Sequence, residues 1–289
     1  MRSEQEMIDL ILGTARNDER IRVVIMNGSR ANPNAPHDFF QDYDIVYVVT
    51  DPAPFTRNLE WIKRFGEMMI LQLPDDMEDP PPDPDSDYGY LMQFADGNRI
   101  DLTIVPIAKA STLGTDSQSI LLLDKDGIVP PIPPASDRDY LPKPPTAKAF
   151  DDCCNEFWWV SAYVAKGLWR QEFTYARQML DQHVREELMK MLVWHAGMKA
   201  GFTCNPGKYG KYLQKFLAPE LWEMLLKTYA DASYAHTWEA LFAMCALFRK
   251  VAREVAEHFG FDYPHTDDQK VTAHLEHVRA LPKDAREMY

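Results

Sequence analysis

Residues 21–50 read IRVVIMNGSRANPNAPHDFFQDYDIVYVVT, and two strand-like runs joined by a polar loop decide the fold of the first half of the chain. Ile21 to Met26 is rich in β-branched and apolar residues, reads as a buried strand, and ends at Gly28-Ser29-Arg30. Pro33 and Pro36 exclude a regular helix from the loop Ala31 to Gln41, and Tyr43 to Thr50 forms the next strand. Asp42 and Asp44 sit at the opening of that strand. A strand has a side-chain period of two, so the two carboxylates turn to one face while Tyr43 turns to the other. Paired carboxylates of this kind are ligands for a hard divalent cation.

A third acidic residue, Asp101, stands within Arg99-Ile100-Asp101-Leu102-Thr103. If that strand pairs beside the first carboxylates, the three aspartates can hold two Mg²⁺ ions about 3.5 to 4 Å apart. Asp-x-Asp alone is a weak signal. The Gly-Ser turn before it and the strand-borne aspartate after it turn the layout into that of a nucleotidyl-transfer site. Asp96-Gly97-Asn98 is a hairpin turn between strands Tyr88 to Phe94 and Arg99 to Val105, which brings Asp101 onto the sheet near a strand start.

The remaining elements follow from periodicity and punctuation. Ser3-Glu4-Gln5-Glu6 is a capping box that opens a helix running to about Arg16, and Pro54 to Phe65 is helical in pattern. Strands at Met68 to Leu73 and Tyr88 to Phe94 flank an insert, Pro74 to Asp87, whose charges are all acidic. Like charges and prolines cannot pack a core, so the insert reads as a solvated loop, with a rim that attracts a cationic substrate as the functional alternative. Seven prolines between Val129 and Pro145 mark a semi-rigid linker and divide the chain into domains at residues 1–135 and 136–289. Helical periodicity dominates beyond it, at Ala147 to Arg170, Glu172 to Ala200, Tyr209 to Phe216, Pro219 to Ala230 and Thr237 to Phe259, with a terminal helix around His274 and His277. The fold class is therefore α+β, a mixed sheet flanked by helices followed by a helical bundle.

On the first bundle helix, Asp152, Glu156, Trp159, Tyr163, Lys166 and Arg170 step by four and three along one stripe. Acids come first, aromatics next, bases last. As a binding face, the stripe would offer Asp152 and Glu156 to a cationic acceptor, Trp159 and Tyr163 to its rings, and Lys166 or Arg170 to phosphate. As an exposed face it needs only ordinary contacts between successive turns. Gly207-Lys208-Tyr209-Gly210-Lys211 does not satisfy the P-loop pattern, although Lys208 and Lys211 can reach a triphosphate if the turn faces the site. The eight histidines have no metal-binding spacing.

The chain has 289 residues, 46% of them hydrophobic, enough for a substantial core. Its net charge of -13 disfavours nucleic acid and suits a cationic substrate. No run approaches the roughly 20 apolar residues that span a bilayer, and the N-terminal residues lack a secretion signal's apolar core, so a cytoplasmic protein with no membrane partner is expected. Cys153, Cys154, Cys204 and Cys245 have neither metal nor disulfide spacing and read as reduced thiols.

At these residues the sequence resembles polymerase-beta-type nucleotidyltransferases, and more closely the aminoglycoside 6-adenylyltransferases. The closer likeness rests on Asn27 to Pro33, Gln41 to Val49, Asp96 to Thr103, and Asn155 to Arg170 (NEFWWVSAYVAKGLWR). The resemblance implies transfer of AMP from ATP to an aminoglycoside hydroxyl, with streptomycin at its 6-position as the expected acceptor and pyrophosphate as the leaving group. It carries over to Asp42, Asp44 and Asp101 as metal ligands, and to Gly28, Ser29 and Arg30 around the triphosphate. Asp101 is the first candidate for the hydroxyl proton and Glu156 the second. Transfer of AMP to a protein hydroxyl and a catalytically silent nucleotide sensor are the rival functions.

Overall fold

Ser3 caps the first helix as its sequence requires: the hydroxyl accepts from the Glu6 amide, while Glu6 reaches back to the Ser3 amide at 2.7 Å. From there the computed structural model describes residues 1–77, 79 and 86–289. The chain forms two units, Met1–Asp139 and Tyr140–Tyr289, each with its own apolar core.

In the first unit, α1 (Glu4–Arg16) leads into β1 (Ile21–Asn27), and a single helical turn, α2 (Gly28–Ala31), follows it directly. Next come β2 (Tyr43–Val49), the short α3 (Ala53–Thr56), and β3 (Met68–Gln72). The hairpin strands β4 (Tyr88–Phe94) and β5 (Arg99–Pro106), with β6 (Ser119–Asp124), complete the sheet. Among the described residues the strand order is β3-β4-β5-β2-β1-β6. Only the β2–β5 pair is parallel, so the sheet is mixed. Asp44 lies opposite Asp101 in that pair, as the three-aspartate reading requires.

Alternation sorts the strands into two faces. Tyr43, Ile45, Tyr47 and Val49 join Met7 and Ile11 of α1 in one core, where the Tyr47 hydroxyl donates to the Ile11 carbonyl at 2.6 Å. Val46 and Val48 face the other way, into a smaller cluster with Val23, Ile25, Val105 and Ala110. Asp44 shares this second face at the strand's open end, where no apolar core covers it.

The second unit is helical: α4 (Ala147–Trp169), α5 (Phe173–Gln178), α6 (Arg185–Lys199), α7 (Pro219–Leu226), α8 (Tyr234–Phe259) and α9 (His265–Ala280). A π-helical stretch, Met179–Val184, joins α5 to α6, so the continuous helical run expected from Glu172 exists but widens in its middle. Phe157 of α4 stacks on Phe248 of α8 at 3.7 Å between ring centroids, at the heart of this core.

Two expectations need correction, and a third falls partly outside the described residues. Residues expected as one helix from Pro54 instead form α3 and a 3₁₀ segment, Leu59–Phe65, because Asn58 breaks the run and accepts from the Glu60 amide. Tyr209 to Phe216 is two short 3₁₀ turns, with Gly207, Tyr209 and Gly210 at positive φ. Of the acidic insert, residues 78 and 80–85 lie outside the described residues; its ends are tied down, Asp75 accepting from the Gly89 amide and Asp76 from the Tyr88 hydroxyl.

Candidate active site

The ends of four strands meet in one row. Asn27 on β1 pairs with Ser119 on β6 and with Asp44 on β2, and Asp44 pairs with Asp101 on β5. Paired residues share a face, so the row is continuous. Asp42 joins it two residues earlier in the chain, and ligand atoms of Asp42, Asp44 and Asp101 all lie within 4.8 Å of one another.

Gly28 lets the chain turn at this point. It adopts φ +74°, and a Cβ placed there would stand 2.1 Å from Asp44 Oδ2. Any side chain would therefore meet both backbone strain and the carboxylate. The close approach sets the Gly28-Ser29 amides beside the acidic cluster. Gln41 fastens the loop to the turn by donating to the Ser29 carbonyl at 3.2 Å.

Among the described residues Asp44 has no hydrogen-bond or ion-pair partner. Burial raises its pKa, and the neighbouring charges of Asp42 and Asp101 raise it further, to about 7. Such a cluster favours the arrival of positive charge. Three oxygen-donor side chains, a cradle closed to any Cβ, and an unpaired central carboxylate fit a hard divalent cation.

Arg99 was not singled out from the sequence as a site residue, and the structure places it here. It grips both oxygens of Asp101, at 2.7 and 2.6 Å, and stands 3.8 Å from Asp42. Its position two residues from Asp101 on the same strand face was the available signal. Arg30, expected at the triphosphate, is held against the backbone that leads into β2. Its side chain is only 7% exposed; it donates to the backbone carbonyls of Gln41 and Asp42, pairs with Glu4, and lies 3.9 Å over the Tyr43 ring. It positions the strand that carries Asp42 and Asp44.

In the second unit the stripe on α4 is exposed or half-buried as its spacing predicts, with Trp159 61% exposed. It is divided, however. Asp152 and Glu156 line a cavity of about 560 Å³ with Glu187, Lys190 and Trp194. Tyr163, Lys166 and Arg170 line another of about 370 Å³ with Trp169, His274 and Arg286. Trp159 donates to the Tyr163 hydroxyl at 2.8 Å, while the Lys166 ammonium stands 4.6 Å from the Tyr163 ring centre. Lys211 follows the Lys208–Gly210 turn with its ammonium 5.1 Å from the Tyr212 ring centre. All four cysteines are buried free thiols, and among the described residues no helix is long and apolar enough to cross a membrane.

A mixed sheet with three clustered aspartates beside a Gly-Ser turn, followed by a helical unit, has the form of a nucleotidyltransferase. Residues 1–278 match the family described as streptomycin adenylyltransferase. The chain is 44% identical over 270 residues to an aminoglycoside 6-adenylyltransferase of Bacillus subtilis (strain 168), covering 93% of this chain and 95% of the relative. A relative of the same name from Campylobacter jejuni is 45% identical over 272 residues, 93% of each chain. A crystal structure of an aminoglycoside 6-adenyltransferase from Bacillus subtilis is 40% identical and covers 97% of this chain and 100% of its own, with a TM-score of 0.49. The chain belongs to the streptomycin adenylyltransferase family and is an adenylyltransferase.

Proposed function

We propose that the protein transfers AMP from MgATP to the 6-hydroxyl of streptomycin in the cytoplasm, releasing pyrophosphate and inactivating the antibiotic. The observation that carries this reading is the convergence of Asp42, Asp44 and Asp101 within 4.8 Å beside the Gly28-Ser29 turn. The names of the relatives give the acceptor class.

Asp42, Asp44 and Asp101 would hold Mg²⁺, which when bound neutralises triphosphate charge and makes the attacking hydroxyl more acidic. The Gly28-Ser29 turn supplies donors to the departing pyrophosphate. The hydroxyl oxygen bonds to the α-phosphorus, the bond from that phosphorus to the β-bridging oxygen breaks, and the hydroxyl proton passes to Asp101. Arg99 holds the Asp101 carboxylate in place. From the second unit we assign Asp152, Glu156, Trp159 and Tyr163 to acceptor binding and Lys166 and Lys211 to phosphate, on their side-chain chemistry.

The test is pyrophosphate release from MgATP, with and without streptomycin and a panel of other aminoglycosides. Streptomycin-dependent release with an AMP-sized mass gain on the drug supports the reading. Labelled AMP on a protein band, with no aminoglycoside-dependent release, overturns it in favour of a protein acceptor.

A further inference from the structure

The sheet face that carries Asp101 continues past it into an open cavity. Asp101 on β5 stands beside Leu91 on β4, which stands beside Gln72 on β3. One rung away, Arg99 stands beside Gln93, and Gln93 beside Ile70. Tyr90, Met92, Phe94, Ile100 and Leu102 alternate to the opposite, core-facing side. Ile70, Gln72, Leu91, Gln93 and Arg99, with Asp76 and Met77 at the rim, line a cavity of about 680 Å³. Ile70 is 65% exposed, so an apolar floor lies open on the strands beyond Asp101, with Leu91 standing between.

The row has a direction. Across the sheet it runs Asn27, Asp44, Asp101, Leu91, Gln72, so the Gly28-Ser29 turn adjoins its β1 side and the cavity lies beyond Asp101. In phosphoryl chemistry the attacking and leaving oxygens stand roughly in line on opposite sides of phosphorus. A pyrophosphate leaving toward Gly28-Ser29 therefore requires the hydroxyl to enter from the Asp101 side.

Resting on the adenylyl-transfer reading, we propose that this cavity seats the acceptor ring that carries the reacting hydroxyl. Ile70 and Leu91 receive its C–H face. The Gln93 amide nitrogen already donates to the Gly97 and Asn98 carbonyls, which leaves its oxygen to accept from a hydroxyl. Among the described residues Gln72 has only a sulfur contact, 3.4 Å from Met77, and its amide is available to the ring hydroxyls. Asp76 accepts from Tyr88 through Oδ2 and offers Oδ1 to a cationic substituent. Arg99, paired with Asp101, adds no free positive charge.

Steady-state kinetics with MgATP and streptomycin on the full chain tests the assignment. Ile70→Arg and Gln72→Ala are expected to raise the acceptor KM at least tenfold and leave the ATP KM within twofold. Met69→Arg, at an exposed position on the same strand outside the cavity, is expected to move neither. An unchanged acceptor KM in both cavity variants, with wild-type turnover intact, overturns the assignment and leaves the adenylyl-transfer reading standing. A rise in ATP KM alone overturns it as well, placing the nucleotide in the cavity. Absence of any aminoglycoside-dependent pyrophosphate release by the wild-type protein overturns the functional reading itself, and this inference with it.

Discussion

Asp44 is partly buried between Asp42 and Asp101, and Arg99, whose charge acts on it, is taken up by Asp101. Its folded-state pKa, about 7, lies above the 3.8 of an unperturbed aspartate, so the folded protein holds the proton more tightly than the unfolded chain. Stability therefore falls as pH rises from about 4 to about 7 and levels off above. Asp44→Asn removes that loss. Without divalent metal at pH 8, the variant should be more stable than wild type by roughly 1–2 kcal/mol, below the full linkage value because water still reaches the site. The gain should vanish below about pH 4. Adenylyl transfer should fall by at least about a thousandfold, since the central carboxylate's charge and one of its two oxygens are lost. Thermal melts across pH, paired with turnover, check both; a variant melting below wild type at pH 8 would refute the electrostatic account. At this scale the three aspartates were legible because strand period and a Gly-Ser turn are local signals. The burial of Arg30 depends on Glu4 and Tyr43, and a turn motif alone carries no trace of that.

Among the elements, β2 and β5 were readable as strands, and their neighbouring was expected only on condition that the aspartates meet; the parallel direction of the pair comes from the structure. β6 went unassigned because Ser119–Asp124 is a leucine run without β-branched support beyond Ile120, and only its pairing with β1 makes it a strand. The last helix, α9, was anticipated, but the groups that fix it were not. Arg249 of α8 holds Asp268 of α9 at 2.6 and 2.5 Å, and the Tyr263 hydroxyl donates to the same carboxylate at 2.9 Å. Burial alone would raise the Asp268 pKa; hydrogen bonds from Arg249, Tyr263 and Thr272 outweigh it and hold the group below the usual carboxylate range. The network thus contributes stability above the unfolded pKa and loses it as pH falls through the folded value. Asp268→Ala should cost about 3–4 kcal/mol at pH 7, because Arg249 and Tyr263 are left without their acceptor. The difference from wild type should narrow below about pH 4. Replacing both partners, Arg249→Met with Asp268→Leu, should cost less than the single change. Denaturant unfolding of the three proteins decides it: a double variant weaker than Asp268→Ala would show that packing, and not the uncompensated charge, sets the cost.

For the whole molecule, 44 acidic residues against 31 basic ones leave a net charge of -13, which bears on association and not on fold. A negative field draws in a polycationic acceptor and repels a nucleotide triphosphate, so the two substrates of the proposed reaction should respond differently to salt. Raising monovalent salt from about 50 to about 500 mM shortens the screening length from over 10 Å to about 4 Å. The acceptor's kcat/KM should then fall on the order of tenfold, mainly through KM, because screening removes long-range attraction before it touches the chemistry at Asp42, Asp44 and Asp101. The ATP KM, freed from part of its repulsion, should stay level or fall. Acceptors carrying fewer positive charges should lose less, and the slope of log kcat/KM against salt should rank them by charge. An acceptor kcat/KM that holds steady over this range would mean that the acidic surface serves solubility alone and that recognition rests on short-range contacts such as those around Gln72 and Ile70.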